Sequence, residues 1–187
     1  MKGKFLLAAA AALFTCSSIF AQKSAVLAPS MPVDEDTKLI TFSAIVDVPA
    51  TTKNEIYART LEWFNAYYKN PGEVIRERDS VNLKITGKPR FRITNEPNEN
   101  GVKLDAGIVQ YTINVAAKDN KAKYTISEIN WKQQSYFPIE KWVAEKDRYK
   151  QNNYYIYSTD SVLRKDVIPA LEKALKTAKK KVDKDNW

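Results

Sequence analysis

The chain has 187 residues, a formal net charge of +8 at pH 7, no histidine and a single cysteine. These counts exclude a Ser-His-Asp or Cys-His catalytic unit, the usual zinc sites and a histidine-ligated haem. No phosphate-binding loop, dinucleotide glycine fingerprint or nucleophile elbow is present either. We therefore expect a protein that is not an enzyme and that holds no cofactor and no metal.

The first 21 residues have the layout of a secretory signal peptide. A basic head precedes an apolar run over 5–14, which is too short to span a bilayer, and the small residue Ala21 ends the segment. Cys16 lies inside it and follows Thr15, whereas lipoprotein processing usually requires a small residue before the cysteine. We interpret Cys16 as part of a cleaved leader and expect export to the periplasm or the extracellular space.

The rest of the chain divides into a leader and one domain. Residues 22–37 are rich in proline, serine and acids without periodicity, which is typical of a flexible segment. We place the single domain at 38–184. Residues 39–48 alternate between apolar and polar and predict a half-buried strand. Thr52 and Glu55 have the spacing of a capping box, which predicts a helix from there to about residue 69.

Five more strands are predicted, at 73–78, 81–86, 89–94, 108–116 and 122–131. The last two form a hairpin around 118–121. Ile129 and Trp131 fall on the face opposite Tyr124 and Ile126, so this strand requires either a bulge or an exposed tryptophan.

The chain is predicted to close with a helix from about residue 160, in which Pro169 causes a kink or begins a second helix capped by Asp166. Residues 137–143 are compatible with one further short helix. The order β-α-β-β-β-β-β-α indicates an α+β fold, a curved antiparallel sheet with helices packed on one face.

Several of these positions are similar to a known family. They are Val46-Asp47-Val48-Pro49, Lys53, Glu55-Ile56-Tyr57, Arg59, Glu62-Trp63-Phe64, the Ile85-Thr86-Gly87-Lys88 step and the hairpin over 111–126. The pattern resembles exported bacterial domains of unknown function, which implies a fold like that of the TATA-box-binding protein (TBP). Asn120 stands where that family tends to have glycine, and Leu83 where a glycine often precedes the Ile-x-Gly step. The resemblance implies a fold and transfers no catalytic residue.

Three surfaces are candidates for binding. The first is the polar face of the sheet, which carries Thr41, Ser43, Lys84, Arg90, Arg92, Gln110, Thr112, Asn114, Lys123, Thr125 and Ser127. It could hold a peptide, a glycan or an anionic polymer, or it could simply be the solvated face that antiparallel sheets normally have. It lacks the apolar wedges with which TBP kinks DNA, and export separates the protein from the genome, so we expect no nucleic-acid partner.

The second surface is the basic last helix, with Arg164, Lys165, Lys173, Lys176, Lys179, Lys180, Lys181 and Lys184. It could contact an anionic membrane weakly, or it could be an ordinary solvated face. The third is a set of aromatic side chains, Trp131, Tyr136, Phe137, Trp142, Tyr149, Tyr154, Tyr155 and Tyr157. These residues could form a partner surface or a satellite core under a long connection.

The sequence thus favours a non-catalytic binding or scaffolding module of the cell envelope, with an envelope protein, a peptide or a glycan as its partner. The candidate interaction residues are Arg90, Arg92, Gln110, Thr112, Lys123, Thr125, Lys173, Lys176, Lys180, Trp131 and Trp142. The first alternative is a hydrolase of envelope glycans that uses a carboxylate pair such as Glu77 and Asp79, or Glu96 and Glu99. The second is a peripheral module that associates with anionic membrane through its C-terminal basic helix.

Overall fold

The structure is a computed structural model that describes residues 26–132, 135–145 and 150–177. The predicted signal peptide and Lys180 lie outside the described residues. Within the described ranges, no helix combines the length and the apolar character needed to cross a membrane.

Seven strands form one antiparallel sheet. They are β1 (Phe42–Asp47), β2 (Ile75–Asp79), β3 (Lys84–Gly87), β4 (Arg90–Thr94), β5 (Asp105–Lys118), β6 (Lys121–Lys132) and β7 (Tyr136–Pro138). The strand order is β1-β6-β5-β3-β2, with β4 also paired to β5 and β7 also paired to β6. The long hairpin of β5 and β6 is therefore the centre of the sheet, and both of its outer edges are paired.

The helices are α1 (Lys53–Tyr67), α2 (Pro71–Val74), α3 (Glu140–Ala144), α4 (Lys150–Val162) and α5 (Ile168–Lys176). Alternate residues of the central strands, such as Ile113, Val115 and Ile126, are fully buried beneath them. The side chains between these residues lie on the other face of the sheet, which we call the open face. The expected α+β architecture is confirmed.

The start of α1 confirms half of the predicted capping box. The Thr52 hydroxyl accepts a hydrogen bond from the Glu55 backbone N–H at 3.3 Å. The Glu55 carboxylate does not complete the box, because it forms an ion pair with Arg59 one turn later. Arg59 is buried and also donates to the Leu175 carbonyl at 2.7 Å, which ties α1 to the end of α5.

The strand that required a bulge has one at Glu128. Thr112 is paired with Ser127, but Gln110 is paired with Asn130, so β6 carries one extra residue between these pairs. Glu128 takes up that residue with a φ of +50°, in the left-handed region. The bulge turns Ile129 into the core, and Trp131 also packs on the helix side.

Two predicted strands were too long. A helical turn, α2, occupies the start of the 73–78 segment, and β2 begins only at Ile75. The strand predicted over 81–86 begins only at Lys84, and Val81 is 88% exposed in the turn between β2 and β3. Leu83 ends that turn with a φ of +53°, at the position where the related family often has glycine.

The C-terminal helix differs from the prediction. Leu163–Val167 forms a π-helical turn that joins α4 to α5, so the chain continues through Pro169 without a new cap. Asp166 makes no capping hydrogen bond, so the alternative in which it caps a second helix beginning at Pro169 was wrong. The proline is tolerated because it lies in the first turn of α5.

The leader over 22–37 is not flexible throughout. Met31 is buried in the core, and Val33 pairs with Ile40 as an isolated antiparallel bridge. The domain therefore begins before residue 38, since these contacts cover the edge of the core next to β1.

Gly87 fixes the distance between β3 and α1. A Cβ atom at this position would lie 2.5 Å from Cε1 of Phe64, which is too close for any side chain. The glycine of the Ile-Thr-Gly step is therefore required by close packing, since its φ is not in the left-handed region.

Candidate functional site

The open face consists of rows of side chains that cross the sheet. One row runs from Glu77 through Thr86, Asn114 and Thr125 to Ser43. Hydrogen bonds link several of its members, among them Thr86 to Asn114 at 2.8 Å. The row separates two ends of the open face with different chemistry.

One end contains a groove of about 460 Å³, which we call the open-face groove. It is lined by Arg76, Lys88, Gln110, Tyr111, Thr112, Glu128, Asn130 and Tyr136. A second hollow of about 530 Å³ shares three of these residues and continues past the sheet edge to the loop between α1 and α2. The groove thus crosses the central strands and is open at the β2 edge.

The floor of the groove is polar and ordered. The Thr112 hydroxyl donates to Glu128 at 2.7 Å, and Lys88 lies 3.5 Å from the same carboxylate oxygen. The hydrogen bond from Thr112 lowers the pKa of the Glu128 carboxyl, and the charge of Lys88 lowers it further. The amide of Asn130 donates to the Glu128 carbonyl, so the bulge itself is held in place.

Tyr111 closes the groove from below. Its hydroxyl lies 3.1 Å from that of Tyr68, and burial raises the pKa of both phenols. These hydroxyls are therefore neutral structural groups and cannot act as bases near neutral pH.

The two ends of the groove differ. Arg76 at the β2 edge is exposed and forms no ion pair with any residue that the structure describes. Tyr136 at the β7 edge is 56% exposed, and Lys132 lies over its ring at 5.3 Å from the centroid. An unpaired guanidinium and an exposed aromatic ring therefore face one polar floor.

The structure brings some predicted residues together. Gln110 and Thr112 line the groove, whereas Arg90 and Arg92 lie on β4 and pair with Glu73 and Asp105. Arg90 also borders the second hollow. Both arginines are engaged with acids, which leaves them less available to an anionic ligand than Arg76.

Other predicted residues lie elsewhere. Lys123 and Thr125 are on the open face of β6 but outside the groove. Lys173 and Lys176 are exposed on α5, in the helical layer. These residues and the groove do not form one surface.

The prediction that Trp142 belongs to an interaction surface was wrong. Trp142 is only 2% exposed and packs against Trp131 and Tyr155, with ring centroids 5.4 and 5.3 Å away. The indole N–H of Trp131 donates to the Ala106 carbonyl at 2.7 Å. These rings form the satellite core that was the alternative interpretation, because α3 and α4 need an apolar anchor on the sheet.

Sequence reasoning missed Arg76, Lys88 and Asn130 as site residues, and it placed Tyr136 in the aromatic set and not beside the polar face. Asn130 and Tyr136 reach the groove through the bulge at Glu128 and the short strand β7, which set the positions of the side chains after them. The shift in register between Ile75 and Glu77 likewise sets the position of the Arg76 side chain. The break in the alternation of apolar and polar residues at Ile129 was the only feature of the sequence that pointed to this rearrangement.

No group of three or more metal-ligating side chains occurs among the residues in the described ranges. Of the two carboxylate pairs considered for a hydrolase, the pair Glu77 and Asp79 has separate structural partners. Asp79 accepts from the backbone N–H of Asn82, which lowers the pKa of its carboxyl, and Glu77 accepts from Thr86.

The architecture is that of a TBP-like α+β domain with an open antiparallel sheet. Residues 42–132 match the model of a family described as a domain of unknown function (DUF4468) with TBP-like fold.

Two solved structures are similar. A TBP-like protein from Parabacteroides distasonis has a TM-score of 0.63 at 15% identity, over 80% of this chain and 99% of its own. A DUF4468 family protein from Bacteroides ovatus has a TM-score of 0.61 at 16% identity, over 82% of this chain and 94% of its own. No curated protein matches the sequence. At these identities the likeness establishes the fold alone.

Proposed function

We propose that this domain is a non-catalytic binding module of the cell envelope that holds a carboxylate-bearing glycan in the open-face groove. The observation that carries the proposal is the composition of the groove, in which the unpaired Arg76, the amides of Gln110 and Asn130 and the exposed Tyr136 line one surface.

Charge favours an anionic ligand at the β2 edge. The guanidinium of Arg76 is planar and can donate two parallel hydrogen bonds to a carboxylate. Lys69 and Lys88 border the same hollow as Arg76, and its Glu73 is already paired with Arg90. A ligand carboxylate at this edge would therefore meet an excess of positive charge.

The remaining groups suit a sugar. An exposed tyrosine ring offers an apolar face against which the C–H face of a pyranose can pack, while its hydroxyl remains in water. The side chain of Gln110 has no hydrogen-bond partner among the residues that the structure covers, so its donors and acceptor are available to sugar hydroxyls.

A peptide fits this floor less well. Extended peptides usually bind by adding a strand to a free sheet edge. The floor is formed by β5 and β6, whose backbone groups are paired on both sides. A peptide main chain lying there would have to rely on side chains alone.

Two further observations support the non-catalytic role and the location in the envelope. Against catalysis, a general acid needs a raised carboxyl pKa, and the pKa values of Asp79 and Glu128 on the open face are lowered. Placement in the envelope rests on the signal-peptide pattern of the first 21 residues.

The test is calorimetric titration with an oligogalacturonate and with a neutral oligosaccharide of the same length. We expect the acidic ligand to bind and the Arg76→Gln variant to bind it about tenfold more weakly, the size of one charged hydrogen bond. Arg78→Gln is the matched control, because Arg78 pairs in register with the buried Ile85 and lies on the other face of β2.

Equal binding of both oligosaccharides, or equal losses in the two arginine variants, would contradict the proposal. Release of new reducing ends during the titration would instead identify the protein as a hydrolase.

A further inference from the structure

The other end of the open face has a composition that the groove does not share. We call it the hairpin end; it comprises Ile45, Val81, Lys84, Ala116, Lys118, Lys121 and Lys123. The turn between β2 and β3 lies there next to the β5–β6 hairpin, since Lys84 pairs with Ala116 and the Ala117 N–H donates to the Leu83 carbonyl.

Lysines are concentrated in two adjacent rows. Lys118 lies directly opposite Lys121 across the hairpin, and Lys123 is separated from Lys84 only by Ala116. Like charges directly opposite one another destabilise a sheet, so this arrangement does not serve the stability of the hairpin.

Acidic residues lie opposite only two of the four lysines. Asp47 is opposite Lys121 and Asp79 is opposite Lys84, each at an outer end of its row. The Asp119 carboxylate in the hairpin turn accepts a hydrogen bond from the backbone N–H of Lys53 at the start of α1. Lys118 and Lys123 form no ion pair within the described part of the chain.

Apolar side chains project from the same region. Ile45 is 63% exposed and lies opposite Lys123, and Val81 is 88% exposed in the adjacent turn. A shallow hollow of about 190 Å³ is lined by Ile45, Ala116 and the surrounding lysines. Exposed aliphatic groups surrounded by cations fit the boundary between lipid head groups and acyl chains.

We propose that the hairpin end docks on an anionic lipid surface, with the lysines on the head groups and with Ile45 and Val81 inserted between them. This inference does not depend on the groove. It differs from the sequence-based alternative, which assigned membrane contact to the lysines of the last helix.

Lipid fits better than a soluble anion because of the aliphatic groups. A soluble polyphosphate would engage the lysines but would leave Ile45 and Val81 in water. On a membrane, each basic residue near the surface strengthens binding about fivefold, which corresponds to about 1 kcal/mol.

The experiment is co-sedimentation of the exported, purified protein with vesicles of phosphatidylglycerol and phosphatidylcholine, and with vesicles of phosphatidylcholine alone. We expect binding to the anionic vesicles that weakens as salt rises. The Lys118→Gln/Lys121→Gln variant should bind about 25-fold more weakly, and Ile45→Thr about tenfold more weakly at every salt concentration.

The matched control is Lys173→Gln/Lys176→Gln, which removes two exposed lysines from α5. All variants carry the same first residues, so any contribution of those residues to vesicle binding cancels when the variants are compared. Unchanged binding of this control supports the hairpin end, while a loss restricted to the control would overturn it in favour of the last helix.

Two further outcomes would also overturn the inference. One is equal binding to vesicles without anionic lipid. The other is full competition by inorganic polyphosphate together with no effect of Ile45→Thr, which would identify a soluble polyanion as the ligand.

Discussion

The open-face groove and the hairpin end share β5 and β6 but differ in how their charges are paired. In the groove, Lys88 and Thr112 contact Glu128, and the amides and Tyr136 form a polar floor. At the hairpin end, Lys118 faces Lys121 and the neighbouring exposed side chains are aliphatic. One sheet therefore carries a polar groove and a separate lysine-rich surface, and separate experiments can distinguish the functions proposed for them.

The largest expected effect is a loss of stability of the whole domain, which would disrupt the groove and the hairpin end together. Gly87→Ala should lower the free energy of unfolding by about 2–3 kcal/mol, because the new Cβ would collide with Phe64. Denaturant unfolding measures this change. Gly72→Ala is the control, because nothing lies within 4 Å of its added Cβ and its unfolding free energy should stay close to that of the parent. Similar losses in both variants would contradict the packing argument.

The next effect separates the two ends. Tyr136→Ala should weaken binding of the oligogalacturonate about tenfold and leave vesicle binding unchanged, because an aromatic platform is lost only from the groove. Lys118→Gln/Lys121→Gln should do the reverse. Calorimetry and co-sedimentation on the same preparations measure both, and parallel losses in the two assays would show that the open face acts as one surface.

A smaller effect concerns the hairpin turn. Asn120 has a φ of +64°, a conformation that asparagine tolerates and alanine disfavours. Asn120→Ala should therefore destabilise the protein by about 1 kcal/mol, whereas Asn120→Gly should be close to neutral. The midpoints of thermal unfolding check both values, and an alanine variant as stable as the glycine variant would remove the conformational explanation.

The smallest effect is a pH dependence within the groove. The pKa of Glu128 is lowered in the folded protein, chiefly by the Thr112 hydrogen bond. Its contribution to stability is therefore present above the ordinary carboxyl pKa and is lost as pH falls through the lower folded value. Thr112→Val should raise the pKa of Glu128 in an NMR titration. The difference in stability between the parent and this variant should also shrink as the solution is acidified below about pH 4.5.

Local patterns were read correctly where one residue type decides the structure. Thr52 begins α1, Asn120 adopts positive φ in the hairpin, and the break at Ile129 indicated the bulge. Prediction failed where distant segments compete for the same residues. Trp142 is buried because α4 packs over it, and Val81 is exposed because the β2–β3 turn reverses the chain before it can join a strand.

By itself, the sequence determined the α+β class, the central hairpin and the absence of histidine and of any cysteine besides Cys16, because these follow from residue types and short-range periodicity. Only the tertiary structure decided which polar residues face one another. The side chains of Arg76, Gln110, Asn130 and Tyr136 come from four strands. Strand register and a one-residue bulge set their proximity, and both depend on packing against α1 and α4.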